Sequence, residues 1–497
     1  MKVKQKILLA LTLMLVTIFT VLPSCCKATG ENLSITVTGN VSGRTLSIYK
    51  LFDLEIVDGN EYYSWEGLPT KDFFTNKKGL STIYETTEYL KGLESNSTNL
   101  TKLAEEYYNY CKDNNISELN KKVVGENEKQ VTFSGLDKGY YLIYDETVAS
   151  KTVAKSIGIV SNLTEDTTVS IKVDSIEVDK TVDETSAKVG DDVNFTITSK
   201  VPEMIGYDEY SFVISDTLSK GLDLDEESIA ISIGDEEYTN YSKTSVKNQN
   251  GTTTLTITFK DFIEQKVNSG KTITVNYTAK LNNEAAVEKD NTNSAKVIYS
   301  NDPTTDKKGE TDEVVVHVYT YAVELTKKNS KGDVLSEVEF ILKLGNGKYA
   351  TFDQDGVFTG TVENKDDATI LKTNSEGKIA ISGLEVGEYE LIETKTLDEY
   401  NLPNFEFSFR ISQELNDDGT LKTASFDYIA DEEIKEAAGY IEDVSSSTPS
   451  FEIVVLNAKK GLLPSTGGMG TILFTVTGIG LMIVAASVFV VRKKVRA

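Results

Sequence analysis

Residues 191–200, DDVNFTITSK, place Val193, Phe195 and Ile197 at alternate positions between polar neighbours. A period of two turns every second side chain toward one buried face, as in a β-strand packed on a core. The pattern returns in TTTLTITFK through Leu255, Ile257 and Phe259, and in KTITVNYTAK through Ile273, Val275 and Tyr277. Turn signals such as Asn346-Gly347 and Asp355-Gly356 separate such runs, a spacing that suits antiparallel sandwiches. The expectation is a mainly β chain of tandem Ig-like sandwiches.

One stretch departs from that period. In TNLTKLAEEYYNYCKDNN, residues 98–115, Leu100, Leu103, Ala104, Tyr107 and Cys111 recur at steps of three and four, which predicts a short helical insertion with these residues on its buried face. Cys111 then reads as a small core residue. The 497 residues exceed one ordinary core, and boundaries are expected near 172 and 305–318. The second follows SNDPTTDKKGETDE, a charged run without apolar period that reads as a linker.

The ends read as addresses. Lys2, Lys4 and Lys6 precede an apolar run, Ile7 to Leu22, shorter than the ~20 residues that span a bilayer. Residues 1–28 are therefore expected to be a secretory signal, with a lipid-modified Cys25 as the rival reading. At the other end Met469 to Val491 is long and apolar enough to cross a membrane, and Arg492, Lys493, Lys494 and Arg496 would hold that end inside. A single membrane passage before sorting is implied.

Composition removes several classes. The formal charge of −26 disfavours nucleic acid as a partner. Once the signal is cut away only Cys111 is left, so no internal disulfide can form. One histidine, His317, and no Cys/His cluster exclude His-dependent triads and the usual zinc sites. FDQDGVF, residues 352–358, holds a fragment of a calcium loop but reads better as an Asp-Gly turn. No metal and no cofactor is expected, and a surface hydrolase has no catalytic constellation to support it.

Just before the apolar run stand Leu463, Pro464, Ser465, Thr466 and Gly467. Leu-Pro-x-Thr-Gly, an apolar span and a basic tail in that order resemble the cell-wall sorting signal of Gram-positive surface proteins, read by sortase transpeptidases. The resemblance implies cleavage between Thr466 and Gly467, with Thr466 held as a thioester until an amine takes it. The amine comes either from the peptidoglycan cross-bridge or from a lysine of another copy.

The rest resembles sortase-assembled backbone pilins. ITVTGNVSGRTLSIYKLFDLE and FSGLDKGYYLIYDET resemble their first domain. VDKTVDETSAKVGDDVNFTITSKVP, SFVISDTLSKGLDL and NTNSAKVIYSNDP resemble their second, collagen-adhesin-like domain. YAVELTKKNSKGDVLSEVEFIL, ISGLEVGEYELIETKT and FEIVVLNAKKG resemble a collagen-adhesin B-type domain. The expected division is 31–171, 172–304 and 318–460, with 463–497 as the sorting segment. Such domains carry an internal isopeptide bond. Burial favours the neutral form of a lysine, an asparagine carboxamide accepts it, and a protonated carboxyl polarises the carbonyl and moves protons as ammonia leaves. The resemblance assigns Lys180, Asp216 and Asn293 to the second domain, with Asn301 as an alternative acceptor, and Lys327, Glu393 and Asn457 to the third. It offers no triple in the first.

The lysine that joins one copy to the next is expected at Lys172, without the Tyr-Pro pair that precedes it in the family; Lys155 and the linker lysines are the alternatives. Together these readings imply a structural pilus subunit supporting adhesion, not an enzyme beyond its own cross-linking. Its partners would be sortase, further copies joined head to tail, minor pilins and peptidoglycan. The rival is a monomeric wall-anchored adhesin or minor pilin that binds a host matrix protein.

Overall fold

The computed structural model describes residues 32–93, 97–150, 154–156, 159–171, 176–288, 290–403, 407–429, 441–447 and 450–459. Six sheets stack in pairs as three successive sandwiches. Alternation sets each one: Asp192–Lys200 and Thr272–Leu281 pair antiparallel and bury Val193, Phe195, Ile197, Ile273, Val275 and Tyr277 in one core.

The first sandwich packs the sheet of Gln130–Leu136, Leu33–Gly39 and Thr167–Ile171 against a second sheet built around Thr45–Val57 and Gly139–Asp145. The expected helix is Ser97–Asp113. It buries Leu103, Ala104, Tyr107 and Cys111, while Leu100 is half-buried. Burial pushes the Cys111 thiol up to about 11, so it is a core residue and not a nucleophile. Two further helices, Pro69–Lys78 and Ile83–Leu93, were not legible in the apolar period. The first starts on Pro69 and ends at Gly79, whose φ of 71° lets its N–H return to Phe74 O. Phe73, Phe74 and Trp65 fasten this helical layer to Phe52 of the sheet.

Among its described residues, the first domain holds a buried ion pair. Arg44 binds Asp145, and both are buried. Asp145 also accepts Thr147 N at 2.9 Å and Ser156 N at 3.1 Å. Removing one partner of a buried pair costs roughly 3–5 kcal/mol. Arg44→Ala is therefore expected to make the first domain melt and cleave well before the other two, as read by limited proteolysis at rising urea.

The second sandwich opposes a five-stranded sheet, with Val178–Val182 at its edge, to a six-stranded sheet that contains Phe212–Leu218 and Asp290–Ser300. Its end corrects the reading of SNDPTTDKKGETDE, residues 300–313, as a linker. Lys308–Glu310 and Val314–Tyr319 both pair antiparallel with Asp290–Ser300, so part of the charged run and the segment after it belong to a sheet. The sheet partner satisfies backbone groups there, which composition does not register. After Tyr319, Thr320 is buried and its hydroxyl donates to Ala285 O at 3.1 Å, and the next strand begins at Tyr321. The junction is tied further: Lys188 pairs with Glu385 at 2.5 Å, Val189 N donates to Gly383 O at 3.1 Å, and Gln413 Nε2 donates to Thr185 Oγ1 at 2.9 Å.

In the third sandwich the first and last described strands, Tyr321–Asn329 and Ser450–Asn457, run side by side in parallel, with Lys327 opposite Val455 and Asn329 opposite Asn457. The facing seven-stranded sheet includes Gly387–Lys395.

Candidate cross-linking sites

In Tyr321–Asn329 the buried positions are Tyr321, Val323, Leu325, Lys327 and Asn329. A lysine thus occupies a core position on the face that begins with Tyr321, Val323 and Leu325. Its Nζ is 2.7 Å from Asn457 Oδ1 and 2.9 Å from Glu393 Oε2. Asn457 Nδ2 donates to Glu393 Oε1 at 2.6 Å and to Thr396 Oγ1 at 2.8 Å. The Phe340 ring lies 5.6 Å from Nζ. Burial lowers the pKa of Lys327, against the opposing pull of Glu393. The structure brings together the three residues expected in this domain: an amine disposed to lose its proton, a carboxamide in contact with it, and a carboxyl touching both.

The second domain repeats the logic across the sandwich. Lys180 and Tyr277 come from the five-stranded sheet, Asp216 and Asn293 from the six-stranded one. All four are buried. Asp216 shares a face with Phe212, Ile214 and Leu218, and Asn293 shares one with Ala295, Val297 and Tyr299. Lys180 Nζ donates to Asp216 Oδ1 at 2.5 Å and to Tyr277 OH at 2.8 Å. Tyr277 OH donates to Asp216 Oδ2 and accepts Asn293 Nδ2 at 2.7 Å. Burial lowers the pKa of Lys180 and raises that of Asp216, each against the pull of the other. Both shifts favour the uncharged pair. Asn293 Oδ1 is buried without a hydrogen-bond partner among the described residues.

Asn301 stands apart from this cluster. It follows the far end of Asp290–Ser300, where its Nδ2 donates to Ser150 O at 2.5 Å and its carbonyl accepts Lys155 N at 2.8 Å. It fastens the first domain to the second. The strand that carries Asn293 is followed by two more, so a bond there would not join the first strand to the last, as it would in the third domain. Residue order alone missed Tyr277, Thr396 and the aromatic walls Phe195 and Phe340. A tyrosine alternating with Ile273 and Val275 was the available signal for the first of these.

The other expected sites differ in how they are seen. Lys155 Nζ donates to Glu105 Oε2 at 3.1 Å and Tyr144 OH at 2.8 Å, with its side chain 12% exposed. Lys172, residues 463–467, the signal at 1–28 and the apolar run at 469–491 lie outside the described residues. Among the described residues no helix is long and apolar enough to cross a membrane. In FDQDGVF, Asp353 Oδ1 accepts Asp355 N and Val357 N, each at 2.9 Å, and so shapes the turn.

Two family models match: a prealbumin-like fold domain of SpaA type over residues 321–427, and the LPXTG cell wall anchor motif over 456–496. No curated protein matches the chain in sequence. Among solved structures, the T6 backbone pilin of serotype M6 Streptococcus pyogenes is similar at a TM-score of 0.50 and 16% identity, over 87% of this chain and 100% of that one. The chain has the fold of a backbone pilin. The full-length major pilin SpaD from Corynebacterium diphtheriae is also similar (TM-score 0.48, 19% identity, 86% of this chain, 98% of that one), as is the group B streptococcus pilus 2b backbone protein (0.42, 26%, 57% and 99%). With its wall anchor, this pilin-fold chain is a cell-wall-attached surface protein.

Proposed function

We propose that the chain is the shaft subunit of a covalently polymerised surface pilus, and that its second and third domains are each closed by a lysine–asparagine isopeptide bond. The observation that carries the second part is the contact of Lys327 Nζ with Asn457 Oδ1, on the two strands where the third domain begins and ends. A bond there closes the domain just ahead of Leu463. In this reading residues 1–28 export the chain, the apolar run holds it at the membrane until a sortase attacks Thr466, and the next subunit's amine releases it.

The mechanical role follows from the order of attachments. Load entering at Lys172 and leaving at Thr466 crosses the second and third domains and leaves the first outside its path. A bond between Lys180 and Asn293 and another between Lys327 and Asn457 would keep either core from unravelling. The segment between them is held by the pairing of Val314–Tyr319 with Asp290–Ser300 and passes through buried Thr320 into the next domain.

Boiling wall extracts in detergent tests the polymer: a ladder of high-mass species that contain this chain is expected, whereas a single band means an anchored monomer. Intact mass of the full-length chain tests the closures. Each lowers it by about 17 Da, one ammonia, so a deficit of two ammonias is expected and an undiminished mass removes them.

A further inference from the structure

The two sites perform one chemistry with carboxyl groups of different reach. In the third domain Glu393 spans both reacting nitrogens, with Oε2 2.9 Å from Lys327 Nζ and Oε1 accepting Asn457 Nδ2 at 2.6 Å. In the second domain the acid is Asp216, shorter by one methylene. It holds Lys180 Nζ at 2.5 Å, but Asn293 Nδ2 donates to Tyr277 OH at 2.7 Å. The same hydroxyl accepts from Lys180 Nζ at 2.8 Å and donates to Asp216 Oδ2. Tyr277 therefore fills the gap that a glutamate would bridge alone. Its ring is stacked on Phe195 at 5.5 Å and its oxygen is buried between the two sheets, so the bridge is held in place before any bond forms.

We propose that Tyr277 is a catalytic residue of the second-domain cross-link, relaying a proton between Asp216 and the departing nitrogen of Asn293. The proposal rests on the isopeptide reading above. Neutral Lys180 Nζ attacks Asn293 Cγ while Asp216 is protonated. As the Cγ–Nδ2 bond breaks, Tyr277 OH gives its proton to Nδ2 and takes one from Asp216. The attacking nitrogen then returns a proton to the Asp216 carboxylate. One C–N bond forms, one breaks, one ammonia leaves, and both the acid and the phenol end as they began. A phenol can serve because it donates and accepts through one oxygen. The third domain needs no such residue, since Glu393 already touches Asn457 Nδ2.

The test is cell-free synthesis of the full chain, quenched at intervals in denaturant and peptide-mapped by mass. In Tyr277→Phe the Lys180–Asn293 peptide should appear at least about tenfold more slowly than in the wild type, while the Lys327–Asn457 peptide appears at the wild-type rate. Formation of both at wild-type rates overturns the relay. Absence of the Lys180–Asn293 peptide from the wild type would instead remove the reading beneath it. Should the phenylalanine chain prove protease-sensitive in its second domain, replacement of tyrosine by 3-fluorotyrosine decides, because it makes the phenol more acidic with little change of shape. A changed rate confined to the second-domain link supports the relay, and unchanged rates in both links overturn it.

Discussion

Lys327→Ala is expected to leave a third domain that folds but is no longer closed. Its intact mass should show a deficit of one ammonia instead of two, the remaining one traced to the second domain. Lys327 and Asn457 are 130 residues apart in sequence, and cross-linking a loop of that size removes about 5 kcal/mol of chain entropy from the unfolded state. The variant also leaves Glu393, nearly buried, without its amine. Both effects act in the same direction, so calorimetry should resolve a low-temperature transition for the third domain alone, with trypsin cleaving inside 327–457. Glu393→Ala separates chemistry from packing: lysine and asparagine remain, yet the link should fail to form. A Lys327→Ala chain that retains a two-ammonia deficit would place the bond elsewhere.

Lys172→Ala should abolish the detergent-resistant ladder and leave a wall-anchored single band. Lys172 directly follows Thr167–Ile171, the edge strand of the first sandwich, and precedes Val178–Val182, the edge strand of the second. The amine of Lys155 is committed to Glu105 and Tyr144, with little surface exposed. Extending it toward an acceptor would forfeit a charged hydrogen bond and its contact over the Tyr144 ring, 5.1 Å away. Lys155→Ala should therefore leave the ladder intact. Loss of the ladder in Lys155→Ala with persistence in Lys172→Ala would reverse the assignment.

The two site triples were legible only through the order of the motifs that resemble the pilin family; the structure adds that their members break the pattern that makes the strands. Along VELTKK and FVISDTL, alternation leads from Val323 and Leu325 to Lys327, and from Phe212 and Ile214 to Asp216. A charged residue at a core position must find a partner there, and motif order indicated which ones. The helix at Ser97–Asp113 was legible because its apolar residues repeat over several turns. Pro69–Lys78 and Ile83–Leu93 are short, and aromatic packing, of Phe74 on Phe52 and of Tyr89 on Phe74, places them more than period does.

The sequence by itself determined that the chain is β-rich and ends in a wall-anchor motif followed by an apolar run and a basic tail. Those are local properties: the period of a strand, the order of a motif, the length of an apolar run. Only the tertiary structure decided that Asp216 meets Lys180 from the opposite sheet, that Asn301 belongs to the junction with the first domain, that residues 308–319 complete the second sandwich, and that Tyr277 bridges amine, acid and amide. Alternation says which face a side chain takes. What it meets there depends on how two sheets stack, and that is set by packing among residues far apart in the chain.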